Sequence, residues 1–366
     1  MPRSYSMFLV AILAGGGWFF TKGPGTGKFG QYVNTAKQTL SQATSGQTAP
    51  AGYYPNYPSS QSSASIPAIP ATYGVPVAPV AQAPAPPTPM FGGPAIRVAS
   101  FNIQVFGDAK AKYPGIMATL ASIIQNFHIV AIQEIRTQDE YFLDNFLRTY
   151  VNQNGRAYDK VIGPRLGRSN SKEQYAFLYD TASIEVNRNS IFTVNDPDDL
   201  LHREPLVAMF RVRGPPPEQA FTFVLINIHT DPDETKNELD ALAQVFQVVR
   251  RTARGEDDII LLGDLNVDDQ HLGALGELDG VRPVVRGVST NTRQSALYDN
   301  MVFHFPSTNE FSGRWGVYDM QRLHKLTPEQ ALQVSDHLPI WAEFSAYESA
   351  APGRVANRET ATIRAQ

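Results

Sequence analysis

The chain has 366 residues, 31 of them Lys or Arg, 35 Asp or Glu and none Cys, so disulfides, thiolate nucleophiles and Cys-ligated zinc are excluded. Charge is spread unevenly: residues 1–93 carry four basic and no acidic side chains and residues 345–366 three basic and two acidic, leaving 24 basic against 33 acidic in 94–344. That middle stretch of about 250 residues suits one large core, and its acidic excess argues against holding nucleic acid by bulk positive charge while leaving room for carboxylates around a divalent cation.

Residues 7–20, MFLVAILAGGGWFF, are apolar or Gly throughout, short of the roughly 20 that a spanning helix requires. They fit the apolar region of an export signal over residues 1–22, with a short membrane anchor as the alternative. Residues 23–94 are rich in Pro, Ser and Ala, as in PAIPATYGVPVAPVAQAPAPPTP, and read as a disordered linker without a core. From Ile96 the texture changes. IRVASFNI (96–103), HIVAIQEI (128–135), YAFLYD (175–180), PLVAMFRV (205–212), FTFVLINIH (221–229), DIILLGDLN (258–266), ALYDNMVF (296–303) and LPIWAEF (338–344) all read as strands. Ile116, Leu120, Ile123 and Ile124 predict a helix over 114–127. Leu239, Leu242, Val245, Phe246 and Val249 predict another over 233–251, with acid at its start and Arg250 and Arg251 at its end to suit the helix dipole. Many strands and few helices suggest two packed sheets with helices outside. The domain is expected over 95–346, with a disordered tail over 347–366.

Polar residues recur where the strands end. Ile259 to Leu262 run straight into Gly263, Asp264, Leu265 and Asn266. A turn would explain that sequence, and so would a phosphate and metal site at the mouth of a sheet. Asn102, Gln133-Glu134, His229, Asp299 and Asp336-His337 stand at comparable ends. Singly, each suits a cap or a turn. Together they are hard to attribute to turns, because sheet ends are where a rigid scaffold presents chemistry.

The ordered set SFNIQVFG, IVAIQEIR, LGRSNSKEQYAFLYD, HREP, NIHTDPDE, LLGDLNVD, LYDNMV and SDHLPI resembles the endonuclease/exonuclease/phosphatase superfamily over residues 96–344, and within it the deoxyribonuclease I-like branch. The resemblance implies an α+β fold, a four-layer α/β/β/α sandwich of two packed mixed sheets. It also implies a divalent-metal-dependent phosphodiesterase, an exported DNA endonuclease using in-line attack of water. Carried over residue by residue, Glu134 is the principal metal ligand, with Asn102 and Asp336 beside it. Mg²⁺ or Mn²⁺ is the expected ion and Ca²⁺ a further candidate. His229 and His337 flank the scissile phosphate as general acid and base in unassigned order, oriented by Glu173 and Asp299. Asp264 and Asn266 contact the phosphate, the nucleophile or a metal. Arg136, Arg203 and Arg168 approach double-stranded DNA. His128, His202, His271, His304 and His324 lack a comparable setting and read as structural or surface residues.

Two positions depart from the branch. Gln104 stands where relatives usually carry Arg, and Ser171 where they usually carry Tyr, both associated with minor-groove contact. The disulfide-bearing loops of secreted relatives are missing. NDPDDLLHREP (195–205) reads either as an exposed acidic loop or as a structural Ca²⁺ loop. The alternative function is a phosphoesterase acting on a phosphoinositide, sphingomyelin or other phosphorylated substrate. The catalytic domain is expected to be monomeric, with any membrane or cell-envelope association made through the N-terminus.

Overall fold

Two six-stranded sheets lie face to face in the structure, a computed structural model that describes residues 95–168, 172–253 and 255–349. The expected leader and linker (1–94), Ser171 and the tail from 350 lie outside the described residues. No helix among the described residues is long and apolar enough to cross a membrane.

In chain order the elements are β1 (Ala95–Phe106), α1 (Asp108–Ala111), α2 (Pro114–Ile124), β2 (Ile129–Ile135), α3 (Phe142–Phe146) continuing into a wider turn over Leu147–Val151, β3 (Tyr158–Ile162), β4 (Gln174–Asp180), β5 (Ile184–Thr193), β6 (Leu206–Val212), β7 (Thr222–His229), α4 (Thr235–Thr252), β8 (Ile259–Asp264), α5 (Gly273–Glu277), β9 (Val281–Pro283), β10 (Asp299–His304), β11 (Phe311–Val317), α6 (Met320–His324), α7 (Pro328–Val334) and β12 (Ile340–Ser345). The first sheet runs β11-β12-β1-β2-β4-β3 and the second β5-β6-β7-β8-β10-β9. Both are mixed, because β1 pairs with β2 and β7 with β8 in parallel while their other neighbours are antiparallel.

The period-two geometry of a strand explains why these central strands are apolar nearly throughout. Along β7, Phe223 and Leu225 face the first sheet while Val224, Ile226 and Ile228 face α4. Along β1, Ile96 and Val98 face the second sheet while Ala99, Phe101 and Ile103 pack among α2, α3 and α7. Phe177, Phe210, Phe223, Phe303 and Phe344 fill the space between the sheets. Leu242, Phe246 and Val249 of α4 seal one outer face and Leu120, Ile124 and Phe146 the other. The result is the expected α/β/β/α sandwich.

A polar crosslink joins the sheets within this apolar interior. Gln133 of β2 donates through Nε2 to Asn227 Oδ1 of β7 at 2.6 Å, and Asn227 Nδ2 donates to the carbonyls of Ile132 and Ala176. The crosslink ties the sheets immediately beneath the ends of β2 and β7. The C-terminal boundary needs correcting: Tyr347 bridges Ala220, and Glu348 N–H donates to the Gln219 carbonyl. Residues 347–349 therefore belong to the sandwich, not to a disordered tail.

Candidate active site

The two parallel pairs place their carboxyl-terminal ends at one end of the sandwich. Register puts His229 opposite Asp264 and Asp264 opposite Asp299, so three site residues share one rung across the neighbouring strands β7, β8 and β10. Gly263 is fixed by this packing. Its φ is +151°, and a Cβ there would lie 1.9 Å from the Ile228 carbonyl oxygen. The first sheet supplies the facing wall. Pairing of β1 with β2 is irregular between Asn102 and Phe106, and Glu134 adopts a left-handed backbone, φ +62°. That conformation is costly for a residue with a side chain and points to a constraint imposed by the surroundings.

Two histidine–carboxylate pairs meet on a third carboxylate. His229 Nδ1 lies 2.8 Å from Glu173 Oε1, and His337 Nδ1 lies 2.9 Å from Asp299 Oδ2. The far nitrogens of both rings turn to one atom: Asp264 Oδ2 is 3.6 Å from His229 Nε2 and 3.5 Å from His337 Nε2. Burial opposes charge at each group. In His229 the Glu173 and Asp264 carboxylates overcome it and raise the pKa. In His337 Asp299 and Asp264 do so and push it up to about 11. Burial would raise Glu173 and Asp264, but the imidazoles hold both below the usual carboxylate range. Asp299, wholly enclosed, is raised by burial.

Beside this cluster lies an oxygen-rich corner. Asn102 Nδ2 donates to Glu134 Oε1 at 3.2 Å and to Asp264 Oδ2 at 3.0 Å, and its side-chain oxygen Oδ1 is buried without a hydrogen-bond partner. Glu134 Oε2 accepts from Val105 N–H at 3.0 Å, and Asp336 Oδ2 from Gln104 Nε2 at 2.8 Å. Asp336 Oδ1 is likewise buried without a hydrogen-bond partner, 4.0 Å from His337 Nε2. Two orphaned acceptors beside a carboxylate, with no sulfur or imidazole required, fit a hard divalent cation held by Glu134, Asn102 and Asp336. Asp264, Asp299 and His337 also bring donor atoms within 4.8 Å of one another. The Asp299–His337 hydrogen bond already occupies that group.

The structure brings Asn102, Glu134, Glu173, His229, Asp264, Asp299, Asp336 and His337 together. Asn266 sits on the rim. Its N–H donates to Asp264 Oδ1 and its Nδ2 to the Thr230 carbonyl. Arg136 Nη2 lies 3.1 Å from Glu134 and 3.4 Å from Glu173, at the edge of the cluster. Arg203 requires correction. It is buried, 3.3 Å from Glu173 Oε1, and donates to the carbonyls of His229 and Thr230. It therefore positions Glu173 and the end of β7 and does not present a surface cation to DNA. Arg168 pairs with Asp199 and Glu234 and touches none of the clustered residues.

Sequence reasoning missed the groups that hold the pairs in place. The Thr290 hydroxyl donates to Asp299 Oδ2 at 2.7 Å, and the Ser335 hydroxyl donates to the backbone carbonyl of Asn102 at 2.7 Å while accepting from His337 N–H. Tyr175 OH accepts from His229 N–H at 2.9 Å. Lys110, brought down to about 8 by burial, sits near Asp336 and Glu134. Adjacency to SDH and KEQY was the one signal for Ser335 and Tyr175; Thr290 lies in unremarkable loop sequence and Lys110 in the short helix α1. His128 is structural as expected, its Nδ1 accepting from Arg97 N–H.

The sequence model of the endonuclease/exonuclease/phosphatase family matches residues 99–319. Deoxyribonuclease gamma of Rattus norvegicus is 30% identical over 286 residues, covering 72% of this chain and 88% of that protein. Deoxyribonuclease-1-like 1 of Sus scrofa is 33% identical over 265 residues, covering 69% and 82%. Among solved structures, TDP2 from Caenorhabditis elegans superposes with a TM-score of 0.49 at 17% identity, over 69% of this chain and 75% of that one. Matched along this length, with the paired histidines and their carboxylates in one pocket, the chain belongs to the endonuclease/exonuclease/phosphatase family, in its deoxyribonuclease I-like branch, and is a hydrolase of that family.

Proposed function

We propose that the chain is an exported, divalent-cation-dependent endonuclease that hydrolyses phosphodiester bonds of double-stranded DNA. The observation that carries this reading is the convergence of two oriented imidazoles on Asp264 beside the oxygen corner of Glu134, Asn102 and Asp336. The deoxyribonuclease names of the relatives favour DNA as substrate.

The chemistry joins water to phosphorus and breaks the bond from phosphorus to the leaving oxygen. One imidazole takes the proton of the attacking water and the other gives a proton to the departing alkoxide. Glu173 and Asp299 fix the tautomers by holding each Nδ1, so both Nε2 atoms face the phosphate. Asp264, held low in pKa, stabilises whichever imidazole is cationic. Arg136 and Asn266 line the approach of the phosphate oxygens. A bound Mg²⁺ or Mn²⁺ on Glu134, Asn102 and Asp336 neutralises charge on those oxygens. Export, with the envelope as an attachment point, rests on the apolar stretch 7–20 and the Pro-rich stretch that follows it.

Nicking of supercoiled plasmid with Mg²⁺ or Mn²⁺, beside phosphoinositide and sphingomyelin substrates, tests the proposal. Activity on DNA that falls by about 100-fold or more in His229→Ala and in His337→Ala supports it. Turnover of a lipid phosphoester with none of DNA overturns it.

A further inference from the structure

At the end of the sandwich opposite the histidines, carboxylates from both sheets meet. Glu256 and Asp258 lead into β8, Glu310 precedes β11 and Glu348 follows β12. Asp258, Glu310 and Glu348 bring oxygens within 4.8 Å of one another, as do Glu256, Asp257 and Asp258. Asp258 stands six residues before Asp264 along one strand, about 20 Å from the catalytic end. Among the described residues, no Lys, Arg or His forms an ion pair with Glu256, Asp258, Glu310 or Glu348.

Hydrogen bonds satisfy part of the group. Thr222 donates its hydroxyl to Glu256 and its N–H to Glu348 Oε1, Asp258 N–H donates to Glu256 Oε1, and Ser349 N–H donates to Glu310 Oε1. Two carboxylate oxygens are left over. Asp258 Oδ1 and Glu310 Oε2 have no hydrogen-bond partner, the hydroxyl of Thr308 turns to the Asp258 carboxylate, and none of these residues is more than 3% exposed. Buried carboxylate oxygens without a compensating donor are costly. Orphaned hard oxygens around one point are what an oxygen-loving cation would satisfy.

We propose that Asp258, Glu310 and Glu348, with the Thr308 hydroxyl, bind a Ca²⁺-class divalent cation that ties the start of β8 in the second sheet to the ends of β11 and β12 in the first. Ca²⁺ is favoured over Mg²⁺ because irregular carboxylate and hydroxyl oxygens from separate segments suit its larger, flexible coordination shell. The cation would act as a clip between the sheets, independent of the chemistry at the other end.

The test uses the full chain carrying Glu134→Gln, which disables the catalytic corner, stripped with EDTA and titrated with Ca²⁺ at neutral pH. Ca²⁺ at about 100 times its dissociation constant is expected to raise Tm by about 5 °C or more. Asp258→Asn and Glu310→Gln remove that shift and lower by one the number of Tb³⁺ ions bound, read by luminescence. Thr308→Val, a milder change, weakens Ca²⁺ about tenfold by comparison with partner-ligand losses, and it keeps the test readable if the carboxylate variants do not fold. A Ca²⁺ shift unchanged in these variants overturns the proposal. So does a parent protein whose Tm ignores Ca²⁺ and rises only on acidification, the behaviour of carboxyls that share protons.

Discussion

Asp299→Asn separates the charge of an orienting carboxylate from its shape. Asp299 Oδ2 accepts from Thr290 at 2.7 Å and faces His337 Nδ1 at 2.9 Å, while Oδ1 has no partner. An amide oxygen can occupy the Oδ2 position and keep both contacts, leaving its NH₂ where Oδ1 stands. Replacing a charge-assisted hydrogen bond by a neutral one costs about 1–2 kcal/mol, or roughly 2–8 °C in Tm for a domain of about 250 residues. The rate should suffer more. Loss of the orienting charge in a histidine–carboxylate pair costs up to about 10⁴-fold, and we expect a nicking rate lower by about 10²–10⁴, equivalent to about 3–5 kcal/mol. Burial lowers the His337 pKa, but Asp299 and Asp264 push it up to about 11, so removing one of those charges lowers it. The folded-state value lies above the unfolded one, near 6.5. Protonated His337 therefore stabilises the fold fully below about pH 6.5, and that contribution is lost as pH rises toward 11. The Tm gap between wild type and variant should accordingly narrow in alkali. Plasmid nicking across pH also assigns the role. A descending limb that moves to lower pH marks His337 as the proton donor, and an ascending limb that does so marks it as the acceptor. A folded variant whose rate stays within about threefold of wild type at every pH would refute the reasoning.

Glu134→Gln keeps volume and removes the principal carboxylate of the oxygen corner. The Mg²⁺ concentration for half-maximal nicking should rise about 100-fold, and an unchanged midpoint would take Glu134 out of the cation site. Arg203→Ala strips a buried partner from Glu173 and should cost about 3–5 kcal/mol in urea unfolding. Normal stability with a raised KM for DNA would instead return Arg203 to the role of a phosphate contact. Gln104→Arg places a cation where the branch usually has one. It should lower KM for duplex DNA and steepen the salt dependence of binding by about one unit of slope. A fall in kcat alone would show that the bond from Gln104 to Asp336 matters more.

Legibility in the sequence followed burial. The eight runs read as strands correspond to β1, β2, β4, β6, β7, β8, β10 and β12, each inside a sheet and covered on both faces. The four that went unseen, β3, β5, β9 and β11, are the four sheet edges. An edge strand has one partner and little apolar demand, so YDKVI, IEVNRNSIFT and FSGRWGV carry only short apolar alternations, such as Ile184 with Val186 and Trp315 with Val317. The same logic divides the site. Charged residues that break an apolar strand end stand out, and Glu134, His229 and Asp264 did so. Thr290 reaches the site from a loop and Lys110 from the four-residue helix α1, where polar residues are the rule. Arg203 was misplaced because a sequence shows a cation but not which side of the sheet end it faces.

The site is also where the fold departs most from its own rules. Among the described residues, three of the seven non-Gly positions with positive φ, Val105, Glu134 and Asn266, border the cluster. Each such conformation costs about 1–3 kcal/mol. Oxygens of Asn102, Asp299 and Asp336 without a hydrogen-bond partner belong to the same cluster. At Val105 and Glu134 that strain sits within strands. It persists because β1, β2, β7 and β8 are locked on both faces and joined by Gln133 and Asn227 directly below. Thus the carboxylate at the mouth of β8 is not a capping residue that happens to be acidic. It is held by Asn102, the Asn266 amide and two imidazoles in a geometry that a folded chain alone has no reason to maintain.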